Sequence, residues 1–366
     1  MLGLALLLLA AAPEASARNV VLIVSDGLRP REVFEGAEQA LLGKAGGVEE
    51  EEGLAARYWR PTAAARREAL LPFLWGTVAS QGQLFGDPAS GCPARVLNAA
   101  RVSYPGYNEL FTGAVDPRLE SNRAGPNPNL TVFEWLDGRA PWRGRVQAFA
   151  TWETFLSIFN VQRSHLDVRA GWNPPFGGDA ARTPGKDVVD ALHRTTTQLF
   201  GGNALDALTY AGLQESLKHR HPRVLFLGLG ETDEWMHAGR YDLALQAAHR
   251  ADALIADLWA TLQALPGYRG TTTFVITTDH GRGLGPRDWR DHGAEVPGAE
   301  ETWIALLGPG VPALGVRRDC EPITQGQVAA TLAALLGEDW RAAAPAAAPP
   351  LPLAGRPPLL VRAPSR

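Results

Sequence analysis

Cysteine is scarce: two occur among 366 residues. That count excludes a disulfide-built scaffold and a cysteine-rich zinc module. An excess of positive charge is also missing. Lys and Arg number 35 against 39 Asp and Glu, for a formal net charge of -4, so the chain lacks the basic field that duplex nucleic acid attracts. No internal repeat is present, and no segment is apolar over the about 17–25 residues that span a bilayer. The apolar run from Leu2 to Ala12 is too short for that and leads into Ala15-Ser16-Ala17, a small-residue cleavage pattern. Residues 1–17 therefore read as a secretory signal peptide, although no Lys or Arg precedes the run. Secretion or a periplasmic location is the expectation. What is present is an ordinary globular balance, 45% hydrophobic and 20% charged, in a chain long enough to bury a large core.

The strongest strand signals are continuous apolar runs: Val20 to Val24, Val224 to Leu227 and Thr273 to Thr277. Continuous rather than alternating runs suit strands buried on both faces of a parallel sheet. Helical patterns separate them. Thr62 to Ala79 is one, interrupted by Pro72. Asp242 to Leu265 is a second, ended by Pro266-Gly267, and Gln325 to Leu336 a third. The expected fold class is α/β, a mostly parallel central sheet flanked by helices on both faces, spanning 18–340. Residues 114–197, rich in Pro, Gly, Trp and Asn, read as an inserted cap. The Ala- and Pro-rich stretch 341–366 reads as an extended, mobile tail.

Each strong strand ends in acidic residues. The first runs into Ser25-Asp26-Gly27, the second into Gly230-Glu231-Thr232-Asp233, and the third into Thr278-Asp279-His280-Gly281. In parallel sheets the carboxyl ends of the strands share one edge, where ligands bind, so Asp26, Asp233, Asp279 and His280 are expected to converge. A single such Asp is more often a helix cap or turn residue. Three strands ending alike weaken that explanation. His237, four residues after Asp233, shares its face if the segment is helical, and His292 follows in a Gly-rich loop. Carboxylates with imidazoles suit zinc, and manganese or iron less well. The set is large enough for two divalent ions. Ser103, ahead of Pro105-Gly106 and an apolar helical run, is positioned to present its hydroxyl at a helix N-terminus, although a Ser there is commonly an N-cap.

Together, in this order, these segments resemble the alkaline phosphatase superfamily, and most closely its nucleotide pyrophosphatase and phosphodiesterase branch. Val24-Ser25-Asp26-Gly27 is similar to the first metal motif. Ser103-Tyr104-Pro105-Gly106-Tyr107-Asn108 looks like the nucleophile motif. Glu231 to His237 looks like the Asp-x-x-x-His motif, and Thr278-Asp279-His280-Gly281 like the Asp-His-Gly motif. The resemblance implies Asp26, Ser103, Asp279 and His280 at one metal and Asp233, His237 and His292 at the other. It further implies a phosphoric ester hydrolase that acts on a small-molecule phosphate ester through a phosphoseryl intermediate. Substrate contacts are expected from the Tyr104 N–H and from Asn108. Two departures stand out. Gly106 aligns with an Asn that holds phosphate in that branch, and Ser103 replaces Thr. Tyr107 stands where sulfatases of the superfamily carry Arg, which disfavours sulfatase chemistry. Phosphoryl transfer to an acceptor other than water, and a catalytically silent metal-binding protein, are the competing readings.

Some residues stay outside this pattern. Export permits a disulfide between Cys92 and Cys320, and sequence alone decides neither for nor against it. Trp142, Trp152 and Trp172 are the tryptophans best placed in the sequence to line a pocket. His165, His193, His219, His221 and His249 have no counterpart among the ligands.

Overall fold

A computed structural model describes residues 17–123 and 125–354; the expected signal segment lies outside them except for Ala17. Eleven strands are present among the described residues: β1 Asn19–Ser25, β2 Gln83–Phe85, β3 Ala94–Arg95, β4 Val146–Ala150, β5 Asp167–Ala170, β6 Val224–Leu229, β7 Thr272–Thr277, β8 Glu301–Thr302, β9 Ile304–Leu307, β10 Gly315–Val316 and β11 Ile323–Thr324. Eight form one sheet in the order β10-β2-β9-β7-β1-β6-β4-β5, and β11-β3-β8 form a small second sheet. In the large sheet β9 alone runs against its neighbours. The fold is thus the mostly parallel α/β arrangement expected from the apolar runs.

The continuous apolar pattern has a direct cause. Successive side chains of a strand point to opposite faces. In β1, Val20, Leu22 and Val24 pack into one core while Val21 and Ile23 pack into the other. Helices Ser103–Thr112, Val132–Asp137 and Gln327–Leu335 cover the first face, and Tyr241–Ala264 and Asp206–Leu217 cover the second. Such a strand has no wet face, so its centre, Val20 to Val24, is apolar, and the polar residues at its two ends, Asn19 and Ser25, are hydrogen-bonded. Pro72 breaks the Thr62 to Ala79 pattern as expected: one helix spans Ala63–Leu70, and a separate π-helical turn spans Leu74–Val78.

Two expectations are corrected. Residues 114–197 are not solely a cap, because they supply β4 and β5, and β4 pairs in parallel register with β6. The described part of the tail, 341–354, is not extended and free. Ala347 and Leu351 are buried, the Ala348 N–H donates to the Gly113 carbonyl, and the Leu351 N–H donates to Thr331 Oγ1. Small residues pack closely against a core they cannot themselves build. Cys92 and Cys320 are joined in a disulfide that brings the β3 region to the loop before β11. No helix of the described residues is long and apolar enough to cross a membrane.

Candidate active site

The three strands β7, β1 and β6 lie side by side and parallel, so their carboxyl ends meet on one edge. Asp26 follows β1 directly. After β6 the chain turns at Gly230 into a short helix, Glu231–His237, which carries Asp233 and His237 one turn apart. After β7 come Thr278, Asp279 and His280. His280 is at the centre of the cluster. Its Nε2 lies 3.5 Å from Asp26 Oδ1, 3.5 Å from Asp279 Oδ2 and 3.9 Å from Asp233 Oδ1. His237 Nε2 is 3.4 Å from Asp233 Oδ2 and 3.0 Å from His292 Nε2. The His280 and His292 rings stack with centroids 3.9 Å apart.

The ligand atoms fall into two groups, each within 4.8 Å. Asp26, Asp279 and His280 form a fully buried group; Asp233, His237 and His292 form a second, which is exposed at His237. Asp26 Oδ1 and Asp279 Oδ2 are buried without a hydrogen-bond partner among the described residues. Burial, and then the charges of neighbouring carboxylates, push Asp26 above the usual carboxylate range and Asp279 up to about 7. Burial holds His280 down at about 4 and depresses His292 further. The imidazoles are held neutral, as metal ligands must be, and a divalent cation would supply the charge that crowded carboxylates with unpartnered oxygens lack. The donor set therefore fits the metals the resemblance implies.

Neighbouring groups orient the ligands. His280 Nδ1 is 2.9 Å from the Gly281 carbonyl and His292 Nδ1 is 3.1 Å from the Arg101 carbonyl. A carbonyl can only accept, so each Nδ1 carries the hydrogen and each Nε2 presents its lone pair. Arg101 offers that carbonyl from a left-handed backbone, φ +50°, with its N–H donating to Asn98 Oδ1. The Tyr107 hydroxyl donates to Asp26 Oδ2 at 3.0 Å. Arg282, wholly buried, pairs with Asp233 Oδ1. Burial on its own would raise Asp233; the Arg282 guanidinium and three imidazoles outweigh it and hold its carboxyl well below the usual range. Arg101, Tyr107 and Arg282 were missed in the sequence reading. Tyr107 was findable, since it lies four residues after Ser103 and so shares its helix face.

Ser103 opens the Ser103–Thr112 helix after an extended Val102, and its Oγ lies 3.3 Å from His280 Nε2. With that nitrogen bare, the Ser103 hydroxyl donates to it. The cluster thus gathers Asp26, Asp233, His237, Asp279, His280, His292 and Ser103. The two substrate contacts fare differently. The Tyr104 N–H donates to Asn122 Oδ1 at 2.9 Å, so the donor expected for substrate is held by an exposed side chain. Asn108 is a correction. It is buried, donates to the Ala114 carbonyl, and accepts from Asn127 and Asn129. It supports the turn after the helix and does not substitute for the Asn missing at Gly106. Trp142 is likewise buried in the core.

No protein-family model matches the sequence, and no curated protein matches it. Solved structures do share the fold. A Vibrio parahaemolyticus protein of the alkaline phosphatase superfamily is 14% identical over 89% of this chain and 68% of that one, with a TM-score of 0.53. The phosphonate monoester hydrolase of Silicibacter pomeroyi is 13% identical over 88% of this chain and 73% of that one, with a TM-score of 0.52. A 2-O GAG sulfatase is 13% identical over 88% and 71%, with a TM-score of 0.54. At these identities the likeness establishes the fold, and the chemistry rests on the residues present.

Proposed function

We propose that this chain, built on the alkaline phosphatase-like fold, is a metal-dependent hydrolase of phosphoric esters with Ser103 as its nucleophile. The observation that carries the reading is Ser103 Oγ, 3.3 Å from His280 Nε2, beside two groups of metal-ligating side chains. In this reading Asp26, Asp279 and His280, with Ser103, hold one divalent ion, and Asp233, His237 and His292 hold the other. The mixed oxygen and nitrogen donors suit zinc. Bound ions of this kind supply the positive charge that favours a serine alkoxide and stabilises phosphate oxygens.

The chain's own residues define the rest. With His280 Nε2 engaged as a ligand, Ser103 gives its proton to solvent water, and its Oγ forms a bond to phosphorus as the bond to the leaving oxygen breaks. The leaving oxygen takes a proton from water and departs as the alcohol. Water then cleaves the seryl phosphate, which returns Ser103 and releases phosphate or its remaining monoester. Helix residues behind Ser103 hold it rigidly: all ten residues of the Ser103–Thr112 helix are buried, which limits the loss of orientation at the reacting atom. We also assign the protein to an oxidising compartment, secreted or periplasmic, since the Cys92–Cys320 disulfide suits such a setting.

The test is hydrolysis of p-nitrophenyl phosphate, bis-p-nitrophenyl phosphate and p-nitrophenyl sulfate by zinc-loaded protein. Phosphate ester turnover is expected, with a loss on the order of 10³-fold or more in Ser103→Ala. Near-normal turnover by that variant, or activity on the sulfate alone, overturns the reading.

A further inference from the structure

Arg282 immediately follows Asp279-His280-Gly281, and its side chain is completely buried inside the ligand cluster. Nη2 donates to Asp233 Oδ1 and, at 3.2 Å, to the Asp233 carbonyl. Nη1 donates to the Arg290 carbonyl. Nε has no partner among the described residues. It points into the crowded space around Gly27, where an added Cβ would lie 2.8 Å from Arg282 Nε, 2.7 Å from Asp233 Oδ1 and 3.3 Å from His280 Cε1. A guanidinium thus sits among the carboxylates that are expected to bind metal.

We propose that Arg282 is a resident counter-cation for Asp233 and makes the two ligand groups unequal. Asp26, Asp279 and His280 bind the first metal ion tightly. Asp233, His237 and His292 bind the second only at higher metal concentration, because the ion competes with Arg282 for Asp233. This inference rests on the metal-dependent reading of the preceding subsection and concerns how that site fills.

Charge and hydrogen bonding agree on the order. Three carboxylates and one guanidinium leave two negative charges in the cluster, which a single divalent ion cancels. A second ion would leave a buried excess of positive charge until an anionic substrate arrives, and uncompensated buried charge is costly. The buried group also offers more unengaged oxygen. Asp26 Oδ1 and Asp279 Oδ2 have no hydrogen-bond partner among the described residues, whereas Asp233 Oδ1 is taken by Arg282 and leaves Oδ2, 3.4 Å from His237 Nε2, as that carboxylate's open oxygen. A first ion at the buried group breaks no ion pair; it displaces only the Ser103 hydroxyl from His280 Nε2, and in this reading Ser103 joins the same ion. A second ion reaches Asp233 through Oδ2 and must share the carboxylate's charge with Arg282, which keeps its charge-assisted contact with Oδ1.

The experiment is a zinc titration of chelator-stripped protein, followed by calorimetry and by competition with a chromogenic chelator. Wild type is expected to take up one zinc at least ~10-fold more tightly than a second. In Arg282→Met the second affinity rises ~10-fold or more and the first stays within a few-fold. Two equal sites in wild type, or an unchanged gap in a folded Arg282→Met, overturn the proposal. A second measurement needs no change at Arg282. One equivalent of cobalt should give an absorption band that His280→Ala abolishes and His237→Ala retains; the reverse pattern overturns the order of filling. Failure to bind any zinc or cobalt would instead sink the metal-dependent reading itself.

Discussion

Gly106 packs its Cα against the backbone of Asp279. A Cβ built there would stand 2.4 Å from the Asp279 carbonyl oxygen, and Gln325 Nε2 donates to the carbonyls of both residues, at 2.9 and 2.8 Å. The nucleophile helix is therefore locked directly onto the segment that carries two metal ligands. This contact explains the departure at position 106, since no side chain fits there. Gly106→Asn, which restores the residue of the resembling branch, is expected to cost about 1–3 kcal/mol of stability by overpacking. It should also lower turnover, because Ser103 and Asp279 are pushed apart. Denaturant unfolding and phosphatase rates check both. A variant as stable as wild type and more active would contradict the close contact.

Tyr107→Phe isolates one hydrogen bond. The ring is packed among Phe111, Phe155 and Phe226, and Phe preserves that packing. What is lost is the donor to Asp26 Oδ2. A group that orients a metal ligand in this way is worth roughly 10–100-fold in metal affinity. Zinc affinity of the first site is expected to fall by that factor with little change in near-ultraviolet circular dichroism. Unaltered zinc binding would assign Tyr107 to packing alone.

How much of this was legible follows from what each segment buries. The centres of β1, β6 and β7 are apolar because both of their faces are covered, so their ends are visible in sequence, and with them Asp26, Asp233, Asp279 and His280. β4 and β5 were hidden by polar residues. Gln147 in β4 is buried only because its amide donates to Asp167 Oδ2 in β5 and its Oε1 accepts from Ser216, a pairing that no local pattern announces. Asn108 illustrates the opposite error. It lies near Ser103 in sequence, but five helical positions carry it roughly 140° around the axis, into the turn after the helix. Arg282 stood beside a recognised motif, yet which carboxylate it would pair with depended on the sheet order.

Metal removal should be visible in stability before any assay of turnover. Asp26 and Asp279 are raised by burial first and then by neighbouring carboxylates, Asp279 and Asp233 acting on Asp26, and Asp233 on Asp279. Chelator-treated protein keeps that penalty, and zinc relieves it. An ion present at 100 times its dissociation constant adds about 2.7 kcal/mol to the folded state. A zinc-dependent rise in Tm of a few degrees is therefore expected, absent for magnesium at the same concentration if the imidazoles take part in binding. A Tm indifferent to zinc would remove the fit of these residues to a metal.

Asp206 gives a pH signature separable from the metal ligands. It opens the Asp206–Leu217 helix, its Oδ1 accepts from the N–H groups of Gly230 and Glu231, and its Oδ2 is buried without a hydrogen-bond partner among the described residues. It therefore braces the turn from which the Asp233 and His237 helix starts. Burial, and then the charge of Glu231, raise Asp206 from 3.8 to about 8. The folded state holds this proton more tightly than the unfolded state, so the stabilisation is complete below the unfolded value. It declines as pH rises and is gone above about 8. Asp206→Asn keeps the Oδ1 acceptor and cannot ionise. The stability of the variant relative to wild type is expected to grow from pH 4 to pH 8 and then level off. Asp26 and Asp279 titrate in both proteins and cancel in the difference. Denaturant midpoints measured across that range in chelator provide the check, and a constant gap between the two proteins would show that Asp206 does not hold a proton in the folded state.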